Sequence, residues 1–222
     1  MTSGEARPAA AGFRPSAVLF DCDGTLVDSE RLANEVLAEC LAHQGCAIGV
    51  DELWRRFRGA RMSGMLATLE RERGLRLPAQ FTAEFRERVA EALSARLQAI
   101  DGAAELLAAV RLPRAVVTNG PRQQVDLSLR VTGLAPYFGD RVVSAYEVGS
   151  WKPDPQIYLH AAKRLGVEPA ECLVVEDADP GIAAALAAGM TVYAYCPPGH
   201  PAPGVAPTRT IPHLSALRDL VG

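Results

Sequence analysis

Short apolar runs recur along the chain, and several of them end in polar residues. They lie at 17–21 (AVLFD), 114–119 (RAVVTN), 141–144 (RVVS), 172–177 (CLVVED) and 191–195 (TVYAY). Helical patterns separate the later runs, at 123–132, 156–165 and 182–188. Unbroken apolar strands that alternate with helices are typical of a parallel sheet covered on both faces. The pattern therefore predicts an α/β fold with a doubly wound parallel sheet.

The interval between the first two runs differs from the others. It spans roughly ninety residues, far more than a single crossover helix requires. Helical patterns fill it at 30–43, 51–57, 64–73 and 83–99. We therefore expect an inserted all-helical domain at residues 29–100, on an α/β core domain made of 17–28 and 101–222. Residues 1–16 are expected to form a flexible tail, 197–207 a surface loop, and 213–221 a short final helix.

Composition narrows the classes of partner and location. The net charge is −3, 49% of the residues are hydrophobic and 22% are charged, as in ordinary globular domains. Such a balance does not favour nucleic acid or an anionic membrane as a partner. There is no apolar stretch of about 18 residues and no signal-peptide pattern. Five scattered cysteines without CxxC spacing indicate reduced thiols, so we expect a cytoplasmic protein.

Lysine is rare in this chain. Of 23 basic residues only two are lysines, Lys152 and Lys163. Lys152 lies between Trp151 and Pro153, just after a predicted strand. A chain that otherwise uses arginine indicates a specific need where it keeps a compact ammonium group, such as bridging a carboxylate and a phosphate oxygen. The alternative is an ordinary solvated side chain.

Polar residues gather where the predicted strands end. In a parallel α/β sheet, ligands bind beyond the carboxyl ends of the strands. Asp21 and Asp23 can face one pocket there while Cys22 points into the core, and Gly24 permits a sharp turn. The alternative is a solvated acid pair at a loop, and the pattern fits an EF-hand poorly. The polar residues at this edge are Asp21, Thr118, Asn119, Lys152, Glu176 and Asp177.

Four acids at one sheet edge predict a cation. Buried carboxylates without partners would be costly, and a hard divalent ion with oxygen ligands would offset that cost. Magnesium suits a site that also binds phosphate. Alternatively, Glu176 and Asp177 simply begin the next loop, in which Asp179 is expected to cap a helix with Pro180 at its first position. Thr118 offers a hydroxyl suited to phosphate.

Together these segments resemble the haloacid dehalogenase superfamily. The resemblance spans nearly the whole chain and rests on four motifs in order: DCDGTLVDSE at 21–30, VVTNG at 116–120, SWKPDP at 150–155 and EDADPGIAAALAAGM at 176–190. It implies a Rossmann-like core with a mobile helical cap. Many relatives have Ser after the acid pair, where this chain has Ala178. One hydrogen bond around the metal is therefore expected to be missing.

The resemblance also implies roles for the edge residues. Asp21 would be the nucleophile that forms an aspartyl-phosphate, and Asp23 the general acid and base. Mg²⁺ would be held by the carboxylates of Asp21 and Asp177 and the backbone carbonyl of Asp23. Glu176 would support the metal from its outer shell. The phosphate-binding residues would be Thr118, Asn119 and Lys152.

The same likeness narrows the reaction. Asp23 indicates phosphoryl chemistry, since dehalogenases of the superfamily lack an acid there. Mutases of the β-phosphoglucomutase group usually have His about twelve residues after the nucleophile, where this chain has Ala33. Hydrolysis is therefore favoured, with a phosphosugar mutase as the alternative. A non-catalytic phosphate-binding module is a third reading, but such a module would have lost Asp21, Asp23 or Lys152.

The motif details are most similar to the bacterial 6-phosphogluconate phosphatase group, and phosphoglycolate phosphatases are near it. The cues are FDCDGTLVDSE, Asn-Gly-Pro at 119–121 and Trp before Lys-Pro-Asp-Pro. Arg58, Gly59 and Arg61 would set substrate specificity, because guanidinium groups bind carboxylates in a fork. Alternatively, these arginines are solvated. The expected partner is a small phosphorylated metabolite, and the expected state a monomer or weak homo-oligomer.

Overall fold

The computed structural model describes residues 12–222. The predicted tail therefore lies mostly outside the described residues. Within them, Phe13 packs against the hydrophobic core, and the backbone N–H of Ser16 donates to the carbonyl of Glu171 at 2.8 Å. No helix in residues 12–222 is long and apolar enough to cross a membrane.

Among the described residues, six strands form a parallel sheet in the order β3-β2-β1-β4-β5-β6. Its strands are β1 Ala17–Phe20, β2 Arg114–Thr118, β3 Val142–Ser144, β4 Cys172–Glu176, β5 Thr191–Tyr195 and β6 Arg209–Ile211. All four residues of β1 are fully buried, because helices cover both faces of the sheet. The predicted α/β fold is confirmed.

The part of the chain that the structure describes contains ten α-helices. They are α1 Ser29–His43, α2 Val50–Phe57, α3 Met62–Arg73, α4 Phe81–Arg96, α5 Ala103–Ala109, α6 Arg122–Val131, α7 Ala145–Val148, α8 Gln156–Leu165, α9 Asp179–Ala187 and α10 Arg218–Val221. Helices α1–α4 occupy the interval in which the sequence predicts a helical insertion. The boundaries of that domain stay a prediction.

Both chain connections to α1–α4 run side by side. The backbone N–H of Asp28 donates to the carbonyl of Gln98 at 3.0 Å, and that of Ile100 donates to Leu26 at 2.9 Å. Val27 and Ala99 form an antiparallel bridge between the two connections. The four helices therefore enter and leave the sheet region at one place.

Two local predictions need correction. Helix α9 begins at Asp179 itself, with Ala178 in the cap position, so Asp179 is not the cap. Its carboxylate instead accepts the backbone N–H of Val205 at 3.1 Å, which ties down the loop after β5. The final segment is not one helix either, because a 3₁₀ turn at Leu214–Leu217 precedes α10.

Candidate active site

Strands β1, β2 and β4 bring three acids and a hydroxyl to one edge of the sheet. Asp21 follows β1, Thr118 ends β2, and Glu176 ends β4 with Asp177 next to it. The strand order reverses direction between β1 and β4, which is where doubly wound sheets bind their ligands. Carboxylate oxygens of Asp21, Glu176 and Asp177 lie within 4.8 Å of one another, and all three residues are buried. The predicted clustering of these acids is therefore present.

Lys152 lies inside this cluster. Its ammonium Nζ donates to Asp21 Oδ1 and to Glu176 Oε1, each at 2.5 Å, and the residue is only 6% exposed. Burial pulls the pKa of Lys152 down, but the two carboxylates outweigh burial and raise the pKa well above its usual value. The side chain is therefore a fixed positive charge, not the solvated lysine of the alternative reading.

Asn119 fixes the loop that carries Lys152. Its Oδ1 accepts the backbone N–H of Lys152 at 2.9 Å, and its Nδ2 donates to the Lys152 carbonyl at 3.3 Å. Both ends of the amide thus bind the backbone of Lys152, and the second N–H of Nδ2 can still donate to a ligand. Thr118 is buried, and its Oγ1 accepts the N–H of Gly120 at 2.9 Å. The proton of that hydroxyl stays available for a ligand.

Glu176 is the most heavily bonded acid of the site. Besides Lys152, Tyr158 donates its hydroxyl to Oε1 at 3.3 Å. The backbone N–H groups of Asp177 and Ala178 donate to Oε2 at 2.9 and 3.0 Å. Tyr158 is fully buried in α8 and was missed by the sequence reasoning. The available signal was a polar-tipped aromatic residue on the buried face of that predicted helix.

Burial perturbs the two acids of the first motif. It raises the pKa of Asp21 well above its ordinary value, with Glu176 adding to the shift and Lys152 opposing it. It also raises the pKa of Asp23, against the hydrogen bond that Ser29 Oγ donates to Asp23 Oδ1 at 2.5 Å. An aspartic acid that keeps its proton more readily than usual is suited to act as a general acid.

Arg58 reaches the acid cluster from the turn between α2 and α3. Its Nη2 and Nε donate to Asp177 Oδ2 at 2.6 and 3.1 Å. Gly59, at φ +69°, lies so close to the loop after β4 that a Cβ there would be 2.9 Å from Cβ of Ala178. The sequence placed Arg58 opposite a substrate carboxylate, whereas in the structure its partner is a carboxylate of the protein.

The cluster fits a divalent cation. Five acidic side chains (Asp21, Asp23, Glu30, Glu176, Asp177) face two basic ones (Lys152, Arg58), so three negative charges remain when all are ionised. Gly24 permits this crowding, since a Cβ there would be 2.5 Å from Asp177 Oδ2. Burial and the neighbouring Glu176 raise the pKa of Asp177 to about 6, although Arg58 opposes the shift. A bound cation would relieve this repulsion.

A cavity of about 230 Å³ opens above these groups. Asp21, Asp23, Thr118 and Lys152 line its floor, and residues of α1, α3 and α4 line its walls. Arg61, which precedes α3, reaches the cavity with its guanidinium carbon 3.9 Å above the ring of Trp151. The structure therefore brings every predicted site residue to one cavity.

Comparison with known proteins places this arrangement in a family. A 6-phosphogluconate phosphatase of Escherichia coli (strain K12) is 37% identical over 93% of this chain and 95% of its own. A fructose-1-phosphate phosphatase of the same organism is 32% identical over 80% of this chain and 94% of its own. The crystal structure of a HAD family hydrolase from Deinococcus radiodurans R1, with bound phosphate and sodium, has a TM-score of 0.75. It is 36% identical and covers 93% of this chain and 94% of its own.

The predicted likeness to the 6-phosphogluconate phosphatase group and the predicted hydrolase class are confirmed. Residues 15–189 match the family described as haloacid dehalogenase-like hydrolase, a span that includes the first three motifs and all but the last residue of the fourth. With that match and the shared fold, the chain belongs to the haloacid dehalogenase-like hydrolases.

Proposed function

We propose that the protein is a magnesium-dependent phosphatase that hydrolyses a small phosphate monoester through an aspartyl-phosphate intermediate. The substrate class would be a sugar phosphate or a phospho-acid such as 6-phosphogluconate. The observation that carries this proposal is the buried Lys152, whose ammonium lies 2.5 Å from the carboxylates of both Asp21 and Glu176 on the cavity floor. A nucleophilic carboxylate beside a fixed cation is suited to receive a phosphoryl group.

In the first step, a carboxylate oxygen of Asp21 attacks the phosphorus, and the bond from phosphorus to the ester oxygen breaks. Lys152 and the hydroxyl of Thr118 stabilise the negative charge of the transferring group. Asp23 gives its proton to the departing alkoxide, which leaves as an alcohol. The raised pKa of Asp23 supports this role, because the acid must hold its proton near neutral pH.

In the second step, water attacks the phosphorus of the aspartyl-phosphate. Asp23, now ionised, takes a proton from that water, and the bond to the Asp21 carboxylate breaks. Inorganic phosphate is released and both acids return to their starting states. Magnesium would be held by the carboxylates of Asp21 and Asp177 and the backbone carbonyl of Asp23, and would supply positive charge to the phosphoryl oxygens.

Helices α1–α4 would act as the mobile cap of this enzyme. They contribute apolar wall residues to the cavity, among them Leu37, Met65 and Phe85. A wall of this kind excludes water while the phosphoryl group is on the enzyme. The two paired connections at Asp28 and Gln98 supply a single place about which the helices could move.

A magnesium-dependent assay with p-nitrophenyl phosphate tests the proposal. Wild type should turn the ester over, EDTA should stop it, and magnesium should restore it. Asp21→Asn should be inactive, whereas Asp51→Asn, which changes an exposed acid on α2, should retain activity. After acid quenching with labelled substrate, the label should be found on Asp21. Wild type that is inert to a broad panel of phosphate esters with magnesium present would overturn the proposal and favour a binding module.

A mutase is the competing reaction, and the cavity favours hydrolysis. Ala33 lines the wall at the position where related mutases have histidine, and no histidine lines this cavity among residues 12–222. Supplied with β-glucose 1-phosphate, the enzyme should release inorganic phosphate. Accumulation of glucose 6-phosphate without free phosphate would show the mutase reaction instead.

A further inference from the structure

Two arginines line the wall of the cavity, away from the acids on its floor. Arg61 precedes α3, and Arg86 lies in α4. Neither forms an ion pair with any carboxylate among residues 12–222. The third arginine that lines the cavity, Arg58, is paired with Asp177. Arg61 and Arg86 thus give the cavity two positive charges that the protein does not neutralise.

The guanidinium groups of Arg61 and Arg86 each stack on an aromatic ring. The guanidinium carbon of Arg61 lies 3.9 Å from the ring centre of Trp151. That of Arg86 lies 5.5 Å from the ring centre of Tyr146, whose hydroxyl also accepts from Nη2 at 2.9 Å. The two rings pack edge to face at 5.5 Å. Stacking of this kind orders a guanidinium plane and leaves N–H groups on its edge free to bind a ligand.

The cavity separates its polar groups by chemical type. The phosphoryl-handling residues, Asp21 and Lys152, are on the floor, where the sheet ends. The neutral amides Asn34 and Gln124 line the cavity as well and are suited to hydroxyl groups. A substrate with its phosphate on the floor would extend its other end towards the helices that carry the two free arginines.

We propose that Arg61 and Arg86 form a second anion subsite, which selects phosphate monoesters whose leaving group ends in a carboxylate. The inference rests on the proposed phosphatase function and names its substrate class. Guanidinium groups bind carboxylates through two parallel hydrogen bonds. Arg58 is not part of this subsite, because Asp177 already occupies its Nε and Nη2. Tyr146 and Trp151 act as positioning residues for the two arginines.

A matched substrate pair tests the subsite. 6-Phosphogluconate and sorbitol 6-phosphate differ only at the far carbon, which is a carboxylate in one and a hydroxymethyl group in the other. Wild type should prefer the carboxylate in kcat/KM. Arg61→Met and Arg86→Met should each lower that preference by about 10- to 100-fold, the range expected for hydrogen bonds to a charged group. Tyr146→Phe, which removes only the hydroxyl that Arg86 contacts, should lower it by a smaller factor.

Arg71→Met is the matched control. Arg71 is an exposed arginine of α3 that does not line the cavity, and its side chain donates a hydrogen bond to Thr68. Arg71→Met removes the same charge as the other two variants, but at a position outside the cavity. The preference should therefore stay unchanged. Thermal unfolding should show that all variants are folded.

The outcomes separate this inference from the proposed function. An unchanged preference in both arginine variants would overturn the subsite, as would an equal loss in Arg71→Met. If wild type still hydrolyses p-nitrophenyl phosphate in that case, the phosphatase proposal stands. If wild type is inactive on p-nitrophenyl phosphate, 6-phosphogluconate and sorbitol 6-phosphate, both the subsite and the phosphatase proposal would be overturned.

Discussion

Gly181 gives the sharpest test of how the site is packed. It is the third residue of α9, and a Cβ at this position would overlap the carboxylate of Glu176. Its φ is not in the left-handed region, so Gly181→Ala creates a purely steric conflict. Because Ile182, Ala184 and Ala185 of α9 are fully buried, we expect Glu176 to move rather than α9.

The cost follows from what Glu176 would lose. Its carboxylate, in a residue only 1% exposed, accepts from Lys152, Tyr158 and two backbone N–H groups. Breaking a buried charge pair of this kind costs about 3–5 kcal/mol. In a chain of this size each kcal/mol lowers Tm by about 2–4 °C, so a fall on the order of 10 °C is expected. Activity should fall too, since Lys152 would lose one of its two carboxylate partners.

Gly64→Ala is a matched control. Gly64 is also the third residue of its helix, α3, but a Cβ there would meet nothing within 4 Å. Alanine is the better helix former, so this change should stabilise the protein by up to about 1 kcal/mol. Urea denaturation in EDTA would measure both free energies of unfolding. The two substitutions are chemically identical, and opposite signs are expected.

A double-mutant cycle completes the test. In a Glu176→Ala background the overlap is absent, so adding Gly181→Ala should cost less than about 1 kcal/mol. Two results would refute the reasoning: a single Gly181→Ala variant as stable as wild type, or the same loss in both backgrounds.

Three further changes have defined outcomes. Arg58→Met should raise the affinity for Mg²⁺ in isothermal titration calorimetry, because Arg58 occupies the Asp177 oxygen that a cation would use; weaker binding would contradict this. Gly59→Ala should destabilise the protein by about 1–3 kcal/mol in urea, because its φ is +69° and the new Cβ would meet Ala178, and an unchanged midpoint would argue against it. Burial raises the pKa of Glu30 from 4.5 to about 8, so the folded state holds this proton more tightly than the unfolded chain. The free energy of unfolding of the metal-free protein should therefore fall as pH rises from 4.5 to 8. Glu30→Gln should make this fall smaller, and an equal dependence on pH in wild type and Glu30→Gln would be inconsistent with that pKa.

The sequence predicts the sheet well where strands are buried on both faces. Strands β1, β2, β4 and β5 were all predicted, because an uninterrupted apolar run is what a covered parallel strand requires. Strand β6 was missed, because it lies at the edge and only Ile211 of its three residues is buried. Its pattern therefore resembles the loop before it.

Contacts between distant side chains were less predictable. Strand ends placed Asp21, Glu176 and Asp177 together, since parallel strands share one carboxyl edge. The pairing of Arg58 with Asp177 joins residues 119 positions apart, and it depends on where α2 and α3 lie relative to the sheet. A local pattern does not contain that information. The cytoplasmic location and the oligomeric state stay predictions.

The paired connections at Asp28 and Gln98 make the helical segment separable from the sheet. The backbone nitrogen of Asp28 lies 3.0 Å from the backbone oxygen of Gln98. Excising the residues between them would therefore leave two ends that a very short linker could join. The same junction would accept a foreign helical segment without interrupting β1, provided that the new segment keeps a hydroxyl at Ser29 for Asp23 and a guanidinium at Arg58 for Asp177. Under the proposed function, substrate choice would therefore be transplantable between enzymes of this family while Asp21, Thr118 and Lys152 stay in place.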